Sequence, residues 1–178
     1  MEDASLVHYL HHIGGALAKL ILIALVLPLV LVIISGQSVP ATLALMTSTY
    51  IIEYGAAPVG IGLGLSPLIV LITMVCIALG ITLFLYDLLD ATGEHSEQVS
   101  SFLEKTEAQA RQSQILSRYG IYGLVPCVLI LGFYVCAPVS WIFGWSRNAS
   151  LLLIMAGYIA ASVVTVLLSI GILGFLFG

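Results

Sequence analysis

The stretch IIEYGAAPVGIGLG, residues 51–64, decides how the chain is built. It places one acid, Glu53, next to Gly55, Pro58, Gly60, Gly62 and Gly64 inside an otherwise apolar segment. Proline removes an amide donor and glycine tolerates non-helical backbone, so one continuous helix through this stretch is disfavoured. Working outward, residues 20–52 carry no charge before Glu53, and residues 54–86 carry none after it. Residues 87–118 then turn polar, and two further uncharged runs, 119–146 and 148–178, are split only by Arg147. Over the 178 residues, 61% are hydrophobic and 8% charged, whereas a soluble domain is about a quarter charged. Such a chain is an integral membrane protein. Five Lys plus Arg and a net charge of -4 exclude a nucleic-acid binder. Cys76, Cys127 and Cys136 lie in apolar stretches without a CxxC pair and read as buried small hydrophobes.

A spanning helix needs about 20 apolar residues, which 15–35, 67–86 and 150–173 each supply. Segments 41–64 and 119–146 are equally apolar but broken, the second by Gly120, Gly123, Pro126, Gly132, Pro138 and Gly144. Backbone of that kind survives at membrane depth only where protein buries it or where it lines a wet cavity. The expected fold is therefore all-α, with three full transmembrane helices and two re-entrant or broken helical hairpins in a single membrane domain, 1–178. Within it, 1–19 reads as an interfacial helix, 41–86 as a first repeat, 87–118 as an amphipathic connector and 119–178 as a second repeat.

The repeat is visible directly. Shifted by 80 residues, YGAAPVGIGLGLS (54–66) aligns with YVCAPVSWIFGWS (134–146), matching Tyr, Ala, Pro, Val, Gly and Ser at six of 13 positions. If the N-terminus and 87–118 are cytoplasmic and the second hairpin enters and returns on that side, Lys19, Lys105, Arg111, Arg118 and Arg147 all lie inside, as the positive-inside rule requires. The two copies then enter from opposite faces, the inverted-repeat plan of many secondary transporters.

With IIEYGAAPVGIGLG followed by a span, a polar connector, the segment YGIYGLVP and a last hydrophobic helix, the chain from Leu45 onward resembles the prokaryotic small multidrug export family and, more distantly, the DedA/VTT superfamily. The resemblance implies an inverted-repeat transporter in the cytoplasmic membrane of a prokaryote. On the DedA side it implies movement of lipids or lipid phosphates and proton-coupled drug tolerance. An intramembrane acid before a Gly/Pro turn is the shared hallmark, and Glu53 before Pro58 matches it. Gly55 stands where the family pattern carries an arginine. The DedA-type arginine of the second hairpin is also missing, and Arg118 and Arg147, the interfacial charges at its two ends, are the residues that could stand in for it. The missing arginine leaves open a second reading, a non-transporting membrane scaffold or assembly factor that reuses the fold.

Glu53 is the candidate proton-coupling residue. An ionised acid at the bilayer centre costs about 2.5 to 3.5 kcal/mol or more, so a carboxyl placed there is expected to exchange a proton. The bland alternative is a protonated Glu that only satisfies frayed backbone. Candidate substrate-binding residues are Tyr50, Tyr54, Gly55, Pro58 and Gly60 in the first hairpin and Tyr134, Pro138 and Ser140 in the second. Half-helices starting near 55–60 or 139–140 would present free amides to an anion, and Thr47, Ser48 and Thr49 could add hydroxyls. Small residues there equally suit close helix packing.

Elsewhere the signals are weaker. His8, His11 and His12 share one helical face, yet too few donors surround them for a metal site. The connector predicts an amphipathic helix from Ser96 to about Ser117. No HExxH, GxSxG or Walker A motif occurs, so neither an enzyme nor a cofactor is expected. Expected partners are membrane lipids, a small amphipathic or lipid-phosphate substrate, protons and a second copy of the chain, since three spans make a thin wall; nucleic acid is not among them.

Overall fold

A computed structural model describes residues 13–92 and 120–177. Within these residues every regular element is helical. Helix α1 runs Ile13–Ile34; α2 is Val39–Ile52, a 3₁₀ turn covers Glu53–Ala56, and α3 is Ala57–Gly62. Helix α4 is Pro67–Thr92, and after a second 3₁₀ turn, Gly120–Gly123, come α5 (Leu124–Leu131), α6 (Phe133–Ile142) and α7 (Arg147–Phe177). Among the described residues three helices are long and apolar enough to cross a membrane, with spans at Ile13–Ile34, Pro67–Ala91 and Arg147–Ile172. The shortest, 22 residues, exceeds the ~30 Å hydrocarbon core at about 1.5 Å per residue. The chain is a multi-pass integral membrane protein. Its outer surface suits that setting: Leu22, Ile34, Leu68 and Leu167 are all more than 60% exposed, an arrangement that requires lipid rather than water around it.

One local device ends and restarts helices three times. Gly36, Gly64 and Gly144 all have positive φ, and in each case the next residue's amide reaches back to close the helix: Gln37 N to Val32 O at 3.1 Å, Leu65 N to Gly60 O at 3.0 Å and Trp145 N to Ser140 O at 3.2 Å. A serine follows at once. The carbonyls of Ser38, Ser66 and Ser146 accept the amides of Thr42, Val70 and Ser150 and so open the next helix. Glycine-any-serine thus acts as a stop and start signal.

Residues 38–65 double back on themselves. Ser66 N donates to Gln37 Oε1 at 2.9 Å, tying the two ends together, and a Cβ on Gly60 would lie 2.7 Å from Val70 Cγ2 and 3.2 Å from both Leu45 methyls. At the centre of the bundle α4 and α7 pack on each other; α3 packs on α7 and α6 on α4. Met74, Ile77 and Tyr86 of α4 and Ile154 and Tyr158 of α7 are buried there.

The ends of the spans meet in a charge network. Asp87, buried in α4, accepts from Lys19 Nζ at 2.8 Å and from Arg147 Nη2 at 2.6 Å. Asp90 accepts from Arg147 Nη1 at 3.1 Å and from Trp141 Nε1 at 2.8 Å. The Arg147 guanidinium also lies 5.5 Å above the Tyr86 ring, whose hydroxyl hydrogen-bonds Ser140. The start of α1, the end of α4, the end of α6 and the start of α7 therefore share one face of the bundle. Arg147 is engaged here and is not a partner of Glu53. Replacing Asp87 by Ala strands two cations. Both are partly exposed, so the expected cost is about 2 kcal/mol rather than that of a fully buried pair, measurable as a lowered Tm in detergent. Arg118, the connector helix expected over 96–117 and His8, His11 and His12 lie outside the described residues.

Candidate functional site

The two broken segments meet at their breaks. Helix α2 stops because Glu53 adopts φ 55°, ψ -127°, while its amide still bonds Thr49 O. Among the described residues it is the only non-glycine with positive φ, a conformation costing about 1–3 kcal/mol. Pro58 falls in the first turn of α3, where its missing donor costs nothing. Helix α5 stops in the same way at Gly132, whose amide bonds Val128 O at 3.0 Å and whose φ 80°, ψ 169° lies in a region essentially restricted to glycine.

Each break frees backbone groups, and in hydrocarbon an unpaired one costs several kcal/mol. In an unbroken helix Tyr50 O would accept from Tyr54 N, and Leu129 O from Phe133 N. Instead the two segments satisfy each other. Tyr134 Oη donates to Tyr50 O at 3.0 Å, Tyr54 Oη donates to Leu129 O at 2.8 Å, and Phe133 N donates to Glu53 Oε2 at 3.3 Å. A Cβ on Gly132 would sit 2.6 Å from the Glu53 carboxyl carbon, so the carboxylate occupies room that only glycine leaves.

Aromatic rings wall this junction. Phe133 stacks on Tyr134 with centroids 4.3 Å apart and meets Tyr158 edge-on at 5.2 Å; Tyr54 meets Tyr158 at 6.5 Å. Tyr158 is fully buried, with its hydroxyl beside that of Ser162 on the same helix. The described cations, Lys19 and Arg147, are taken up by Asp87 and Asp90, so among the described residues Glu53 faces an amide and phenols with no positive side chain. A carboxyl in that position can hold or release a proton without disturbing an ion pair.

Of the residues singled out from sequence, the fold brings Glu53, Tyr50, Tyr54 and Tyr134 together, with Gly55 in the 3₁₀ turn after the acid. Gly60 is packed between Leu45 and Val70, Ser140 is buried against Tyr86, Pro138 lies inside α6 and Pro58 is on the outer surface of α3. The second half-helix begins at Phe133, not near 139–140. The hydroxyls of Thr47 and Thr49 are spent on Leu43 O and Leu45 O of their own helix, at 2.9 and 2.8 Å. Gly132, Phe133 and Tyr158 were not legible as site residues. The available signal was that the 80-residue shift sets Gly132 opposite Ile52, immediately before Glu53.

Among the described residues no group of three or more His, Cys, Asp or Glu side chains could hold a metal ion. Residues 53–164, more than half of the chain, match the small multi-drug export protein family. The chain belongs to this family. Neither a curated protein nor a solved structure matches it. The match of this small multidrug export protein to its family starts at Glu53 and spans both breaks, α4 and most of α7. Membership of an export family agrees with a non-enzymatic protein acting at the membrane.

Proposed function

We propose that this small multidrug export protein is a proton-coupled transporter that moves an amphipathic or lipid-linked substrate between its two broken segments, with Glu53 carrying the coupled proton. One observation carries the reading: a carboxylate without a cationic partner among the described residues, held in strained backbone where two broken helices meet. Strain of that kind persists where surrounding structure enforces it, commonly at functional sites. Tyr50, Tyr54 and Tyr134 line the same junction and are the proposed substrate contacts. Gly55, Pro58, Gly60, Pro138 and Ser140 shape the segments around it.

In this reading 38–65 and 120–142 are re-entrant hairpins of an inverted repeat. The tie between Gln37 and Ser66, the exchanged tyrosine bonds and the crossed packing of α3 on α7 and α6 on α4 support it. The Lys19, Asp87 and Arg147 end is then the cytoplasmic face of a prokaryotic plasma membrane, on the positive-inside rule. A second copy would complete the wall around the junction.

The test is flux. In proteoliposomes an imposed pH difference should drive wild-type efflux of a fluorescent amphiphilic drug well above protein-free vesicles. Efflux equal to that of protein-free vesicles across a panel of amphiphiles would favour the scaffold reading. A milder expectation concerns Tyr134→Phe. It leaves Tyr50 O unpaired and should destabilise the protein by about 1–3 kcal/mol while lowering flux, with Tm and efflux rate as the two readouts.

A further inference from the structure

Helix α6, Phe133–Ile142, is a strut about 15 Å long at 1.5 Å per residue. It has a glycine joint at each end, Gly132 at φ 80° and Gly144 at φ 64°. Its start is held by Glu53, through the 3.3 Å bond from the Phe133 amide, and by Tyr134, whose hydroxyl reaches Tyr50 O. Its far end is held by the charge network. Trp141 Nε1 donates to Asp90 Oδ1 at 2.8 Å. Ser140 Oγ donates to Ala137 O at 2.8 Å, so it accepts from the Tyr86 hydroxyl, and the Tyr86 ring lies under the Arg147 guanidinium. Arg147 joins Asp90 to Asp87, and Asp87 joins α7 to Lys19 of α1. One continuous chain of contacts thus runs from the Glu53 carboxylate, along α6, to the start of α1. Neither clamp is strong. The Phe133 bond is long for a charge-assisted one, and the side chains of Arg147 and Asp90 are 38% and 46% exposed, where ion pairs are worth little. The other ends of α1 and α4 are tied differently, by the neutral bond between Gln37 and Ser66.

We propose that α6 transmits the charge state of Glu53 to this network: the Lys19, Asp87 and Arg147 end of the bundle is shut while Glu53 is ionised and opens when Glu53 takes a proton, with Trp141 as the positioning residue at the moving end. The proposal rests on the reading of Glu53 as the proton-coupling carboxyl and adds how that residue controls one end of the bundle. Ionised Glu53 draws the positive dipole end of α6 and holds the Phe133 amide by a charge-assisted bond, about twice as strong as a neutral one. Protonation removes both advantages. The strut then turns on Gly132 and Gly144, Trp141 leaves Asp90, and Ser140 withdraws from Tyr86, uncovering two side chains that are buried in the shut state. The coupling is reciprocal, so whatever favours the open end favours protonated Glu53 by the same factor. The other titratable groups near Glu53 are Tyr50 and Tyr54 on its own segment, Tyr134 and Cys136 on α6, Tyr158 on α7 and, beside Cys136, Cys127 on α5. Around Trp141 the charged groups are Asp90 and Arg147 and, through Arg147, Asp87 and Lys19. Phenols and thiols stay neutral at neutral pH, so among the described residues at the junction Glu53 is the group whose charge changes.

The test uses the full-length protein in lipid nanodiscs. Trp141 and Trp145 are its two tryptophans, so in a Trp145→Phe background the indole emission reports Trp141 alone. Between about pH 5 and about pH 9, either side of neutrality, the emission maximum is expected to shift in step with the Glu53 carboxyl band in infrared difference spectra. Glu53→Gln in the same background should show the low-pH emission at every pH. Trp141→Phe changes no charge and loosens the shut state, so it should make Glu53 easier to protonate. The midpoint of the Glu53 band, isolated by subtracting the matching Glu53→Gln spectrum, is expected to rise by up to about 0.7 pH unit, the limit for a charge that favours the shut end about five-fold. A merely structural Trp141 would lower Tm and leave that midpoint where it is. An emission that ignores pH, an emission shift that persists in Glu53→Gln, or a midpoint unmoved or lowered in Trp141→Phe overturns the proposal. If the Glu53 band titrates while Trp141 stays silent, the proton-coupling reading stands and this inference alone fails. If the Glu53 band never changes, both fail.

Discussion

Glu53→Gln is expected to fold like the wild type and to lose pH-driven flux down to the level of protein-free vesicles. The amide oxygen of Gln can still accept from the Phe133 amide, and the backbone strain at φ 55° is retained, so stability should change by less than about 1 kcal/mol. What disappears is the exchangeable proton. Glu53→Gly sharpens the contrast. It relieves about 1–3 kcal/mol of backbone strain and loses one long hydrogen bond worth about 1 kcal/mol, so it should be at least as stable as wild type while being inactive. Stability comes from chemical denaturation in detergent and activity from efflux in proteoliposomes. A Gln variant that retains pH-driven efflux would remove Glu53 from the mechanism.

Gly132→Ala is expected to have the largest effect on the fold, destabilising by about 3 kcal/mol and abolishing flux. Two causes coincide. The backbone at φ 80°, ψ 169° excludes a side chain, and the new methyl would overlap the Glu53 carboxylate. The double variant Glu53→Ala with Gly132→Ala separates them, because it removes the overlap and keeps the strained backbone. Partial recovery of stability relative to Gly132→Ala is the expected outcome, read as a double-mutant cycle on Tm. Strict additivity would mean that the two residues are not in contact.

The layout of this protein was largely legible because its solvent is lipid. The long runs around Glu53 marked the spans, and the Pro and Gly content of 51–64 and 119–146 marked where helices had to break. Lys19 and Arg147, placed on one side by charge bias, do share a face. The exact breaks were less accessible. Gly132 was one of six breakers in its segment, and only the meeting of the two broken segments distinguishes it from Gly120 or Gly144. That Tyr54 and Tyr134 each cap the other segment's carbonyl is a long-range fact that no local pattern carries. Tyr158 reads in the sequence as an ordinary span residue, and only its ring contact with Phe133 places it at the junction. Asp87 and Asp90 read as the start of the polar connector, whereas they end α4 and hold Lys19, Arg147 and Trp141. The recurring glycine-any-serine signal was in plain view at 36–38, 64–66 and 144–146, and its meaning comes from the closing bonds it makes.

The central claim is that Glu53 changes protonation state as the protein works, and pH-difference infrared spectroscopy in nanodiscs tests it most directly. Subtracting the Glu53→Gln spectrum from that of wild type isolates the carboxyl stretch of this one residue. A protonated-carboxyl band that grows as pH falls, over the same interval in which flux changes, is the predicted result. A Glu53 that stays in one protonation state throughout that interval would contradict the account.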